Sequence, residues 1–335
     1  MSGKIAGINQ DLLKGRCLVV QFEHIENVNA YNCLFASVAT LANYYGRDYH
    51  MISGGDWKLR YDVSIDNKRI CEKMDIVSEV DVAYRTMEFH GFTWRFEKFE
   101  ESYVNINTGC VKEFTYPFLI SIDLYHSKWS KFYHRFHFLH YLIVCDYNLK
   151  KGIYFCVDPY YQYTCYKISK EDLYFSMNKF GRITFSELPS KSVDDYTKVI
   201  WEDILLVDKD NENYTSINRL ADDISTKMDI HYEFDEFRND LYAVPILDKF
   251  RKVAMCRDAY TCMLDYVYGL FEVKYLSEAS NLIKQSVDLW RAVQGKLLKT
   301  YLTDSINSER KIISQMIRKT ADIEKQAVEI ILFNK

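Results

Sequence analysis

Three stretches between residues 253 and 331 repeat their apolar residues at steps of three and four. Val253, Cys256, Tyr260, Met263, Val267 and Phe271 form one stripe; Leu282, Ile283, Val287, Trp290, Val293, Leu297 and Tyr301 form a second. Ile312, Ile313, Met316, Ile317, Ile323, Ala327, Ile330 and Ile331 form a third, with Lys, Arg and Glu between them. Stripes of this kind are amphipathic helices that must bury their apolar faces. They read as the core of a helical bundle rather than as a cofactor site.

The first 190 residues follow a different pattern. Apolar residues at 34, 35, 38, 39, 41 and 42 predict a helix over 33–45, closed by Gly46. A second helix is expected over about 77–89, ending at His90 and Gly91. Short β-rich runs follow at 92–96, 117–122, 139–145, 154–157 and 182–185, with a hairpin turn over 148–152. A leading helix, then antiparallel strands, then a helical tail predicts an α+β chain. The 335 residues suffice for two lobes. The expected domains are 1–195 and 196–335.

Composition narrows the classes. Hydrophobic residues at 48% and charged residues at 27% describe a globular chain, and with a formal net charge of −4 neither half is basic enough to suggest a nucleic-acid binder. The longest apolar runs fall short of the roughly 18–20 residues needed to span a bilayer. The first residues show no apolar stretch of secretory type. Nine cysteines without a CxxC pair then read as reduced thiols, mostly packing in the core of a cytoplasmic protein.

Cys33 stands apart from the other eight. It follows a polar stretch, 26–32, and opens the predicted helix. A thiol at a helix N-terminus meets unpaired N–H groups and the positive end of the macrodipole. Both favour the thiolate, which is the nucleophile, and the same N–H groups can hold an oxyanion. His140 opens a strand, and the next strand ends at Asp158. Folding these strands about a turn near residue 150 puts position 140 opposite roughly 158–160, within reach of a base-and-orienter pair. Asp146, six residues along the same strand, lies about 20 Å from His140 and cannot serve.

The residues Asn-Cys-Leu-Phe-Ala-Ser-Val-Ala-Thr-Leu-Ala-Asn-Tyr-Tyr-Gly (32–46), His-Tyr-Leu-Ile-Val (140–144) and Val-Asp-Pro-Tyr (157–160) resemble the C39-like, papain-like cysteine peptidase group. Within it the sequence is similar to the butirosin biosynthesis protein H N-terminal domain family, and also to the amide-forming enzymes of closthioamide assembly. The resemblance covers about residues 15–190. It implies a papain-like fold, with Cys33 as nucleophile, His140 as base and Asp158 as orienter. It implies an acyltransferase that moves an acyl group from the phosphopantetheine thioester of an acyl or peptidyl carrier protein onto a small amine. No cofactor of its own is implied, since the phosphopantetheine arrives on the carrier. The family pattern has a Gln six residues before the Cys as oxyanion donor. Asn27 stands there in this chain, and Gln21 is a second candidate. Leu34 follows the Cys where the peptidases carry Gly.

Two other readings stay open: a peptidase or thioesterase using the same triad, and a non-catalytic binding module in which Cys33 and His140 are core residues. One further stretch carries charge. No acid falls between Asp123 and Asp146, whereas Lys128, Lys131, Arg135 and four histidines do. This reads either as a solvated loop or as a docking face for an acidic carrier at Lys128, Lys131 and Arg135. The HxxHxxH spacing at 134, 137 and 140 lacks a CxxC or carboxylate pattern beside it, so no metal is expected.

Overall fold

The computed structural model describes residues 32–54, 57–64, 68–78, 80–98, 117–148, 150–161 and 163–334, with the side chains of 163–165 left aside. The chain is α+β, with antiparallel strand pairs. It divides into two compact units: the described residues of the first lie within Arg95–Ile183, while those of the second join residues 32–94 with 184–334.

In the first unit lie β4 (Phe118–Asp123), β5 (Leu139–Asn148), β6 (Ile153–Asp158), β7 (Tyr163–Ser169) and the short helix α4 (Lys170–Ser176). Strands β3 (Phe92–Lys98) and β8 (Met177–Phe185) cross the unit boundary, and the six-stranded sheet runs β3-β8-β4-β5-β6-β7. On one face Phe118, Ile120 and Ile122 of β4 pack with Leu142 and Val144 of β5 and Tyr154 and Cys156 of β6. These are alternate positions on each strand, as a pleated sheet requires. Ser169 caps α4 by accepting from the Asp172 N–H.

The second unit contains α1 (Cys33–Tyr44), the small sheet of β1 (Lys58–Tyr61) and β2 (Met74–Val77), α2 (Ile70–Lys73) and α3 (Val82–His90). It also holds α5 (Val193–Asp208), α6 (Glu212–Thr226), α7 (Ile230–Phe234), α8 (Pro245–Phe271), α9 (Lys274–Leu302) and α10 (Ile306–Phe333). The three apolar stripes are α8, α9 and α10. Glu324 of α10 is fully buried and accepts hydrogen bonds from Arg257, Trp57, Trp290 and Ser286 at 2.7–3.2 Å. Burial pushes the Glu324 carboxyl up, yet the Arg257 guanidinium and the other donors outweigh it and hold its pKa below the ordinary value.

The expected division at 195/196 is therefore replaced by another. Leu59, Tyr61, Ile70 and Met74 share one core with Ile217, Phe250 and Trp290, and Met51, Trp57 and Phe89 share another with Tyr196 and Tyr260. A two-stranded sheet such as β1–β2 is marginal alone and needs a helix to cover it. The helical tail supplies that cover. The expected helix over 77–89 starts later, because residues 74–77 pair with β1 and Asp81 caps the helix through the Tyr84 N–H. Its end is at Gly91, where φ is +65° and an added Cβ would lie 2.7 Å from the Glu187 carbonyl oxygen. Among the described residues no helix is long and apolar enough to cross a membrane.

Candidate active site

His140 and Asp158 form a hydrogen-bonded pair on the sheet of the first unit. His140 Nε2 lies 2.8 Å from Asp158 Oδ2, and both residues are buried, at 3% and 2% exposure. His140 faces Ile122 of β4 across the strand pair. Between β5 and β6 the ladder matches Asn148 with Ile153 and Asp146 with Phe155, then shifts, matching Val144 with Cys156 and Ile143 with Val157. Cys145 is the extra residue of that bulge. Past it, Asp158 falls opposite Leu142, one step diagonal from His140 on the same face.

The carboxylate has a second tie, since Asp158 Oδ1 accepts from the Tyr161 N–H at 3.2 Å. One oxygen is thus held by the backbone while the other meets the imidazole, which fixes the ring. The rings of Tyr160 and Tyr161 stand 6.0 and 5.2 Å from that of His140. Asp158 also lines a cavity of about 250 Å³ walled by Trp129, Phe132, Tyr161 and Tyr166, with Lys131 at its side. Tyr163 pairs with Asp158 in the β6–β7 register.

Cys33 belongs to the other unit, at the first position of α1. Asn32 caps the helix: its side-chain oxygen accepts from the Phe35 N–H at 2.9 Å, and its carbonyl accepts from the Ala36 N–H at 2.8 Å. The N–H groups of Cys33 and Leu34 are the remaining first-turn donors, which no helix carbonyl can reach. Cys33 is a free thiol and half-buried, whereas the helix is buried from Phe35 to Ala42. Cys71, Cys145, Cys156, Cys256 and Cys262 are likewise not in a disulfide. Burial, followed by nearby Glu233, pushes Cys71 up to about 12, and burial and the neighbouring Asp258 do the same for Cys262. Asn27 and Gln21 lie outside the described residues.

The three cations proposed for docking lie on the loop between β4 and β5. Lys128 pairs with Asp172 of α4 at 2.7 Å. The Lys131 ammonium sits 5.0 Å from the Phe132 ring centroid, and the Arg135 guanidinium 5.8 Å from that of Phe136. The HxxHxxH histidines separate into different settings. His140 goes to Asp158, His134 stacks on Tyr133 with a left-handed φ of 55°, and His137 bonds Asp123. Sequence reasoning missed Asp123 as a partner for these rings, because it sits fourteen residues before His137. Its one legible signal is its place as the last acid before the acid-free stretch.

Compared with models of known protein families the sequence matches none, and compared with curated proteins it likewise finds no match.

Proposed function

We propose that this chain is a cysteine-dependent acyltransferase of papain-like fold, taking its acyl group from a carrier-protein thioester and passing it to an amine. The observation that carries the reading is the buried His140–Asp158 pair, oriented by the Tyr161 N–H beside an aromatic cavity. With Nε2 given to the carboxylate, proton transfer falls to His140 Nδ1. Cys33, a half-buried thiol at the start of a capped helix, supplies the nucleophile.

The chemistry then runs in two steps. The Cys33 sulfur attacks the thioester carbonyl, the carrier thiol leaves with the proton taken up by His140, and an acyl-enzyme remains. Exchange of one thioester for another is nearly balanced in energy. An amine next attacks the acyl group, His140 accepts its proton, and the Cys33 thiol is restored as the amide departs. The amide lies downhill of the thioester. Aromatic walls disfavour water at this stage, which a transferase requires.

The test is product analysis with an acyl-carrier thioester, with and without a small primary amine. Amide formed in proportion to the amine supports the reading. Free acid alone, whatever amine is supplied, replaces it with a hydrolase. No turnover of any thioester leaves a binding module.

A further inference from the structure

The loop between β4 and β5 gathers a second set of polar side chains, separate from His140 and Asp158. Asp123 is the last residue of β4, one position beyond the partner of His140, so its side chain leaves the strand from the opposite face. The Asp123 Oδ1 accepts from the Tyr125 N–H at 3.0 Å, which turns Oδ2 outward. His137 Nδ1 lies 2.7 Å from Oδ2. His126 Nε2 lies 4.0 Å from the same oxygen, beyond hydrogen-bond range, and its Nδ1 is buried without a partner among the described residues. One ligand atom from each of the three lies within 4.8 Å of the others.

We propose that Asp123, His126 and His137 form a binding site for a divalent first-row transition metal. Two imidazoles and one carboxylate are the donor set that such ions accept, and three protein ligands leave further positions for water or another ligand. Bonds of about 2.0–2.2 Å to nitrogen and oxygen place ligand atoms roughly 3–3.5 Å apart. His126 therefore closes toward Oδ2 while His137 opens slightly from it. A hydrogen-bonded Asp–His pair explains His137 but leaves the His126 Nε2 at 4.0 Å from the carboxylate, an ion-pair distance with no hydrogen bond. A bound ion gives that ring a bond.

The surroundings are those of a supported site. The Tyr125 ring stacks on His137 with centroids 4.1 Å apart, and Phe175 packs edge-on against His126 at 4.8 Å. The Tyr125 N–H fixes the carboxylate from behind, as outer partners of metal ligands do. The loop is also tied at both ends, by Leu124 N–H to the Phe138 carbonyl at 2.9 Å and His134 N–H to the Tyr125 carbonyl at 3.0 Å. Leu124, Trp129 and Phe132 of this loop wall the cavity beside Asp158. The ion would staple that wall.

The test titrates the full-length chain with Co²⁺ and reads the visible spectrum, with Zn²⁺ as competitor. The expected result is one equivalent of Co²⁺, with d–d bands and without the thiolate charge-transfer band that cysteine ligands give, displaced by Zn²⁺. Asp123→Asn and His126→Gln/His137→Gln should each abolish the bands, whereas Cys33→Ala should keep them. Zn²⁺ should also raise the melting temperature of the wild-type chain and not that of the double variant. If Asp123→Asn does not fold, the double variant alone decides, because His137 is mostly exposed and His126 partly so. No Co²⁺ bound, a thiolate band, or equal binding by wild type and double variant each overturns the proposal.

Discussion

His140 and Asp158 share a face of the sheet because Cys145 is inserted between them as a bulge residue. Without it the pairing of the turn-proximal residues, Asn148 with Ile153, would continue unchanged and set Asp158 opposite Ile143. Residues 140 and 143 point to opposite faces of β5, so the carboxylate would turn away from the imidazole. The bulge restores the parity, and the pair closes to 2.8 Å at the end of the apolar core formed by Leu142, Val144 and Cys156.

If this pair works as base and orienter, the two residues should fail by different amounts. His140→Ala should lower the rate of acyl-enzyme formation by roughly 100- to 10,000-fold, the usual contribution of a positioned general base. Asp158→Asn should lose less, since an amide still accepts from the Tyr161 N–H. Single-turnover kinetics with a short thioester measures both. Near-native rates for His140→Ala would remove it from the chemistry.

The second unit carries its own pH dependence. His90 is buried, and its Nε2 accepts the Met51 N–H at 3.0 Å, a role only the neutral ring can play. Burial, and next the nearby His50, push its pKa from 6.5 down to about 3. The unfolded chain then takes up a proton that the folded chain refuses, so stability is full above pH 6.5 and falls as pH drops toward 3. The loss is at most about 1.4 kcal/mol per pH unit across that window. His90→Gln should start less stable but show a shallower decline in urea midpoint between pH 6.5 and 4. Parallel slopes for the two proteins would contradict this.

Glu324 should be the most costly single carboxylate in the helical core. Removing it as Glu324→Ala strands the Arg257 charge and the Trp57 and Trp290 N–H groups in a fully buried site. A loss of about 3–5 kcal/mol is expected in equilibrium urea unfolding, as for other buried pairs that lose one partner. A change below about 1 kcal/mol would mean that water reaches the site.

Docking of an acidic carrier should respond to charge around the β4–β5 loop. Lys128→Ala removes a cation and also uncovers Asp172, so KM for carrier-bound substrate should rise; Asp172→Ala should lower it. Reversing Lys131 and Arg135 to Glu should raise it further, with the effect shrinking as salt screens exposed charges over roughly 8–10 Å. Turnover of a short thioester without a carrier should change little. Equal losses on both substrates would assign Lys131 to the cavity it lines instead.

Much of this was legible in the residues. The stripes of α8, α9 and α10 predict helices because three- and four-residue spacing over many turns fits nothing else. The short β-rich runs at 117–122, 139–145 and 154–157 and the turn near residue 150 predict that His140 and Asp158 come close. The bulge was not legible, since Cys145 sits in an unbroken apolar run where an extra residue leaves no mark on the pattern. The strands at 58–61 and 74–77 escaped for a different reason: they are four residues each, and they owe their burial to Ile217, Phe250 and Trp290, far along the chain. The same long-range packing moved the unit boundary away from 195. Asp123 and its two histidines were hidden because only the three-dimensional turn at Leu124–His126 brings 123, 126 and 137 together.

The most direct test of the central claim is the intact mass of the protein after brief incubation with an acyl-carrier thioester in the absence of amine. The expected result is a single acyl adduct on Cys33, absent from Cys33→Ala and discharged to an amide when amine is added. An unmodified mass for the wild-type chain, or an equal adduct on Cys33→Ala, would contradict it.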